Sequence, residues 1–189
     1  MDIYKDLEDS VGLWVHTMFP TWRYKFAFDN GPEMETPYLV IDVRKLDAIG
    51  REYTSSSQEI DLVTSASYTT TSQDYEALVR FEFIGKFVDG TTGLGEMAHQ
   101  LEFALRTQRG YEEQRRNALA LRKYNPIRRI PVRRETDTYM YYQLDVTFGY
   151  VVTNTETQDY MDILGIHGVY HDAGREPDHI IESTIVINP

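Results

Sequence analysis

The sequence predicts an α+β domain, a mostly antiparallel sheet with helices packed on one face, plus an extended β-hairpin arm. Three observations carry that expectation. Apolar residues recur at three-and-four spacing in two segments, several other segments alternate between apolar and polar residues, and the order runs helix, strands, helix, strands. The regular βαβ alternation of a parallel sheet is missing.

Residues 2–18 predict an amphipathic helix. Ile3, Leu7, Ser10, Val11, Trp14, Val15 and Met18 form its apolar stripe, with Asp2, Lys5, Asp6, Glu8 and Asp9 off the stripe and Pro20 as the stop. Trp22, Tyr24, Phe26 and Phe28 then alternate with Arg23, Lys25, Ala27 and Asp29, as in a strand buried on one face. The turn-rich DNGPEMETP leads to YLVIDVRKL, whose apolar start predicts a more buried strand. Residues 50–73 are rich in Ser and Thr, with neither face strongly apolar, and read as an extended arm with a soft register. Tyr75, Ala77, Val79, Phe81 and Phe83 give the next strand, closed by Gly85, Asp89 and Gly90.

Thr92 is the expected N-cap of a second helix that carries Leu94, Met97, Ala98, Leu101, Ala104 and Leu105 and ends at Gly110. A shorter basic helix is expected over residues 111–123, stopped by Asn125-Pro126. The clearest strand follows. Met140, Tyr142, Leu144, Val146, Phe148, Tyr150 and Val152 share one parity, and Gln143, Asp145, Thr147 and Gly149 the other. Residues 156–189 read as a loop and then a short strand near residues 180–187. No repeat or linker divides the chain, so one domain is expected over residues 1–189.

Composition narrows the function. Of 189 residues 41% are hydrophobic, with fourteen Tyr, eight Phe and two Trp, enough for a substantial core. No apolar run approaches the roughly 20 residues of a membrane span. MDIYKDLEDS carries acids where a secretory signal carries lysines, so export by that route is not expected. The absence of cysteine excludes disulfides and thiolate metal sites, and fits a cytosolic origin. The net charge is -11, but residues 106–134 hold ten Lys or Arg and only two acids, a segment at +8 that leaves -19 for the remainder. The acidic remainder repels a phosphate backbone. The basic segment is then either a solvated face or the complement of an acidic surface, such as that of a second copy.

Motifs for chemistry are weak. His167, His171 and His179 with Asp172 and Asp178 include metal-ligand types, but Gly165, Gly168 and Gly174 disfavour the helix that would align histidines four apart. Glu33, Asp42 and Lys45 suggest a metal-dependent nuclease, yet Lys45 stands three residues after Asp42, which on a strand puts it on the opposite face. Gly-Thr-Thr-Gly-Leu-Gly before the second helix lacks the lysine of a phosphate loop, and no nucleophile elbow occurs. Aromatics beside arginines would suit single-stranded nucleic acid, but most lie on the apolar parity of strands.

The order of elements nevertheless resembles something known. An amphipathic helix, a hairpin, a polar arm and a strand precede a mid-chain helix, and an arginine-rich segment then leads into RRETDTYMYYQLDVTFGYVV. Over most of residues 1–155 this resembles the neck or tail terminator proteins of tailed bacteriophages. The resemblance implies a virion protein at the head–tail junction, assembled in the host cytoplasm, with no catalytic residue, cofactor or membrane contact. It implies a homo-oligomeric ring, commonly a hexamer, with tail tube and sheath proteins below, head-side connector proteins above, and genomic DNA passing through the lumen unbound. A ring needs heterologous contacts, and the +8 segment on an otherwise acidic subunit supplies complementary patches. Arg115, Arg116, Arg128, Arg129, Arg133 and Arg134 are the expected subunit-interface residues, because a guanidinium fork pairs bidentately with carboxylates. A stopper or other connector layer is the alternative within the structural class, and a nucleic-acid-binding accessory protein the alternative outside it.

Overall fold

The computed structural model describes residues 2–29, 31, 34–57, 67–86, 93–134, 137–158, 163–170 and 179–186. Helix α1 (Ile3–Met18) is followed by strands β1 (Tyr24–Phe26), β2 (Tyr38–Ser57) and β3 (Ser67–Lys86), then α2 (Leu94–Ala104) and α3 (Gln108–Arg116). Strands β4 (Leu119–Tyr124), β5 (Arg128–Arg134), β6 (Asp137–Gln158), β7 (Ile163–Tyr170) and β8 (His179–Val186) complete the chain. Six strands form one mixed, mostly antiparallel sheet in the order β1-β2-β3-β6-β4, with β5 also on β6, and β7 and β8 form a separate pair. The α+β class is as expected.

The chain divides into two compact units. The first comprises Met1–Glu52 and Gln73–Val152, and holds all three helices and the main core. The second comprises Tyr53–Ser72 and Thr153–Pro189. Within it, β3 and β6 face each other through hydroxyls, Thr70 with Thr155 at 3.3 Å and Ser72 with Thr153 at 3.4 Å, and β7 pairs antiparallel with β8. The arm expected over residues 50–73 is strand up to Ser57 and again from Ser67, and its centre lies outside the described residues. Residues 163–170, expected as loop, form strand β7.

The core of the first unit is what the alternation of β3 and β6 dictates. Ala77, Val79, Phe81 and Phe83 from β3 and Leu144, Val146 and Phe148 from β6 form one sheet face. Helix α1 covers it with Leu7, Val11, Trp14 and Val15, and α2 with Leu94, Ala98 and Leu101. Trp14 is fully buried, its ring 6.5 Å from that of Phe81 and 6.3 Å from that of Phe148. A buried indole N–H needs an acceptor, and Trp14 Nε1 donates to the carbonyl of Gly110 at 3.2 Å.

That bond explains a departure from expectation at Gly110, which does not end the second helix. Helix α2 stops at Ala104, and Gly110 lies inside α3. Thr107 makes the joint: its hydroxyl donates to Ala104 O at 3.1 Å and accepts the Gly110 N–H at 3.0 Å, capping α3. The two helices approach so closely that a Cβ on Gly110 would lie 1.8 Å from Ala104 O. The glycine serves close approach rather than a left-handed C-cap. Gln114 Nε2 closes the same joint by donating to Leu105 O at 3.2 Å.

Three other expectations are corrected. The basic helix over residues 111–123 stops at Arg116. Ala118 adopts φ 56°, and Leu119–Tyr124 is strand β4, because Leu119 and Leu121 alternate onto β6 opposite Tyr150 and Phe148. Strand β1 is three residues long rather than eight. Trp22 stacks on Phe19 at 3.8 Å, and Phe28 is 82% exposed. It also pairs with β2 in parallel, Tyr24 opposite Leu39, so the two form no hairpin; the connection between them is long enough to return the chain to the same end. Finally, the N-cap of α2 is Gly93 at φ 65°, and the expected cap Thr92 lies outside the described residues.

Gly110→Ala should destabilise the protein by about 2–3 kcal/mol, because the obstacle is backbone rather than a mobile side chain. Thermal unfolding should show Tm lowered by roughly 5–10 °C. A Tm within about 1 °C of wild type would mean that the α2–α3 joint opens freely.

Candidate interaction surface

The second face of the sheet carries the polar parity of β6, and part of it is buried. Asp145 is only 6% exposed, and Thr147 is equally buried. A carboxylate at such a position needs charged partners, and it has two. Arg80 Nε donates to Asp145 Oδ1 at 2.6 Å and Nη2 to Oδ2 at 3.2 Å, a bidentate fork from β3 across to β6. Arg128 Nη2 donates to the same Oδ2 at 2.7 Å from the start of β5. Glu82 lies 4.0 Å from Arg80 and accepts from Gln143 Nε2 at 2.8 Å, so the cluster extends along both strands. Further along this face Tyr38, Val40 and Ile84 form a small apolar cluster with Tyr139 and Tyr141.

The Arg80 hydrogen bond holds the Asp145 carboxyl below its ordinary carboxylate range; burial opposes the shift, and the charges of Arg80 and Arg128 add to it. Sequence reasoning missed this group. The available signal was Arg80 itself, which with Glu82 is one of two charged residues in the otherwise apolar ALVRFEF.

The expected interface arginines are divided in their roles. Arg115 is exposed on α3, and its side chain bonds to nothing among the described residues. Arg116 pairs with Glu113 on the same helix, and Arg128 is committed to Asp145, although its side chain remains 57% exposed. Arg129 is exposed on β5, and its Nε lies 3.3 Å from Met140 Sδ. Arg133 and Arg134 stand opposite Thr138 and Asp137 in the β5–β6 register, and their side chains lie outside those described. Sequence reasoning did not single out Arg109, Arg122 and Lys123, three more exposed cations of the same segment with no ion pair among the described residues. Arg122 lies over Gly149, where a Cβ would meet its Nε at 2.8 Å.

An apolar groove of about 600 Å³ opens beside this basic surface. Met18, Phe19, Phe103, Ala104 and Thr107 line it, and Glu96, His99 and Gln100 add its polar atoms. Phe103 is 68% exposed there, and Tyr111 on α3 and Leu13 on α1 are also exposed.

The weaker chemical candidates gain little. Asp42 pairs with Arg44, and Lys45 with Asp47. Glu33, His171, Asp172 and Asp178 lie outside the described residues; His167 and His179 stand on β7 and β8, opposite Glu182 and Tyr170. Among the described residues no three His, Cys, Asp or Glu are grouped to hold a metal ion, and no helix is long and apolar enough to cross a membrane.

A sheet with one face closed by helices and the other by ion pairs, beside an exposed basic and apolar surface, suits a structural protein that acts by contact. Residues 2–173 match the phage neck terminator protein family. The chain belongs to this family, and so to the structural proteins of the phage particle. No curated protein matches it significantly.

Replacing Asp145 with Asn should cost about 2–3 kcal/mol at neutral pH, chiefly through Arg80, since the more exposed Arg128 is screened. Because the folded pKa of Asp145 is depressed, its contribution is present above the unfolded carboxylate pKa and is lost as pH falls through the folded value. Denaturant unfolding from neutral pH down to the acid range should therefore show a shallower acid-side loss in Asp145→Asn than in wild type. Parallel curves would rule out this linkage.

Proposed function

We propose that this protein forms a homo-oligomeric ring, a hexamer, at the phage neck, where it terminates the tail tube and joins it to the head-side connector. The observation that carries the reading is the family match over residues 2–173. The charge distribution supports it: among the described residues, exposed cations with no ion pair gather on α3, β4 and β5 (Arg109, Arg115, Arg122, Lys123 and Arg129) of a subunit that is acidic elsewhere. Such a subunit can meet its own copy head to tail, one patch against a different one, and a closing rotation gives a ring. Arg115, Arg116, Arg128, Arg129, Arg133 and Arg134 lie in the basic segment that would face the neighbour. An acidic surface around a lumen would let DNA pass without retention. On this reading the protein has no catalytic role and is assembled into the virion in the host cytoplasm.

Two measurements test the proposal. Native mass spectrometry of the purified protein should show one closed oligomer of six subunits, and immunogold microscopy of tailed particles should label only the head–tail junction. Label along the tail or on the capsid would overturn the placement. A chain that stays monomeric at all accessible concentrations would overturn the ring.

A further inference from the structure

The groove and the basic face of α3 form one unfilled surface. Thr107 lines the groove and caps α3, so the groove runs up to the first turn of that helix. Tyr111 and Arg115 stand four residues apart on α3, on one exposed helix face. An exposed aromatic beside a cation with no ion pair among the described residues, next to a groove containing a largely exposed Phe103, is the composition of a protein contact rather than of a solvated face.

The same chain carries the complement. On the first turns of α1, Tyr4 and Glu8 are likewise four apart on one helix face, and Tyr4 is exposed. Around Glu8 the charge is negative. Asp2, Asp9 and Asp42 act on it, and the one cation acting there, Lys5, is bound to Asp9. Glu8 has no ion pair of its own among the described residues, and its carboxyl is pushed up, first by burial and then, against Lys5, by those acids. An additional cation there would relieve that repulsion.

We infer that the groove and the Tyr111–Arg115 face of one copy receive the Tyr4–Glu8 face of α1 from the next copy, with Arg115 meeting Glu8. The occupant is a second copy of this chain because each surface supplies what the other lacks in charge, and both present an aromatic group. Within one subunit neither Arg115 nor Glu8 has an ion pair among the described residues, and Glu8 stands about 15 Å along α1 from Met18, where the groove begins. The contact is heterologous, as a ring requires, and the inference rests on the ring reading.

A charge exchange tests it. Arg115→Glu and Glu8→Arg, each checked for an unchanged circular dichroism spectrum, should each weaken self-association about tenfold or more in sedimentation analysis, and the double exchange should restore it to within about threefold. Phe103→Ser should weaken it without altering its salt dependence. Wild-type rings with undiminished association in both single variants would overturn this contact and leave the ring reading standing. Two weakened single variants without rescue would overturn it too. A monomeric wild type would overturn the ring reading and this contact with it. If Arg115→Glu instead lowers a salt-dependent affinity for duplex DNA and spares self-association, the surface serves nucleic acid and the inference fails.

Discussion

The hydrogen bond from Trp14 to the Gly110 carbonyl is the constraint on which the first unit depends. The largest side chain of the core sits between Phe81 and Phe148 and carries one polar atom that water cannot reach. Its acceptor must come from another element at a fixed place, and that element is the first turn of α3. The consequences follow in order. Helix α3 has to approach the end of α2 closely, which demands glycine at position 110 and the double use of the Thr107 hydroxyl. That placement turns Tyr111 and Arg115 outward and sends the chain through Ala118 onto the edge of β6.

The opposite face of the sheet is organised by charge. Burying a carboxylate is costly unless several donors converge on it. Arg80 supplies a planar fork from the neighbouring strand and Arg128 a second donor from the edge. These ion pairs explain why a basic segment need not be basic in effect. One of its arginines is spent inside the subunit and another is neutralised along its own helix by Glu113, while Arg115 keeps its full charge for other contacts.

What could be read from the residues depended on how local the signal was. The stripe of α1 and the alternation of β3 and β6 are local, strong and correctly periodic, so the helix, the strands and the core residues on them were legible. Strand β4 was not, because LALRKY is short and alternates only at Leu119 and Leu121 before two cations, and its conformation comes from pairing with β6 rather than from its own pattern. The parallel pairing of β1 was hidden in the same way, being a property of the connection and of β2. At the candidate surface, the sequence marks a basic segment but does not sort its arginines. Arg115 and Arg128 look alike in a chain of letters, and only the distance to Asp145 separates them.

Asp145 also sets phase along the edge of the sheet. Strands β4 and β5 lie one after the other against β6, with a break at residues 125–127. The backbone carbonyl of Asp145 accepts the Asn125 N–H at 2.8 Å on the near side of that break, while its carboxylate holds Arg128 on the far side. A slip of β5 by one residue would turn Arg128 to the other face of the sheet and leave the buried charge with one donor fewer. The residue thus works as a vernier mark, coupling two short strands to a single alignment. A subunit would then show its edge cations at the correct spacing only once it had folded in register.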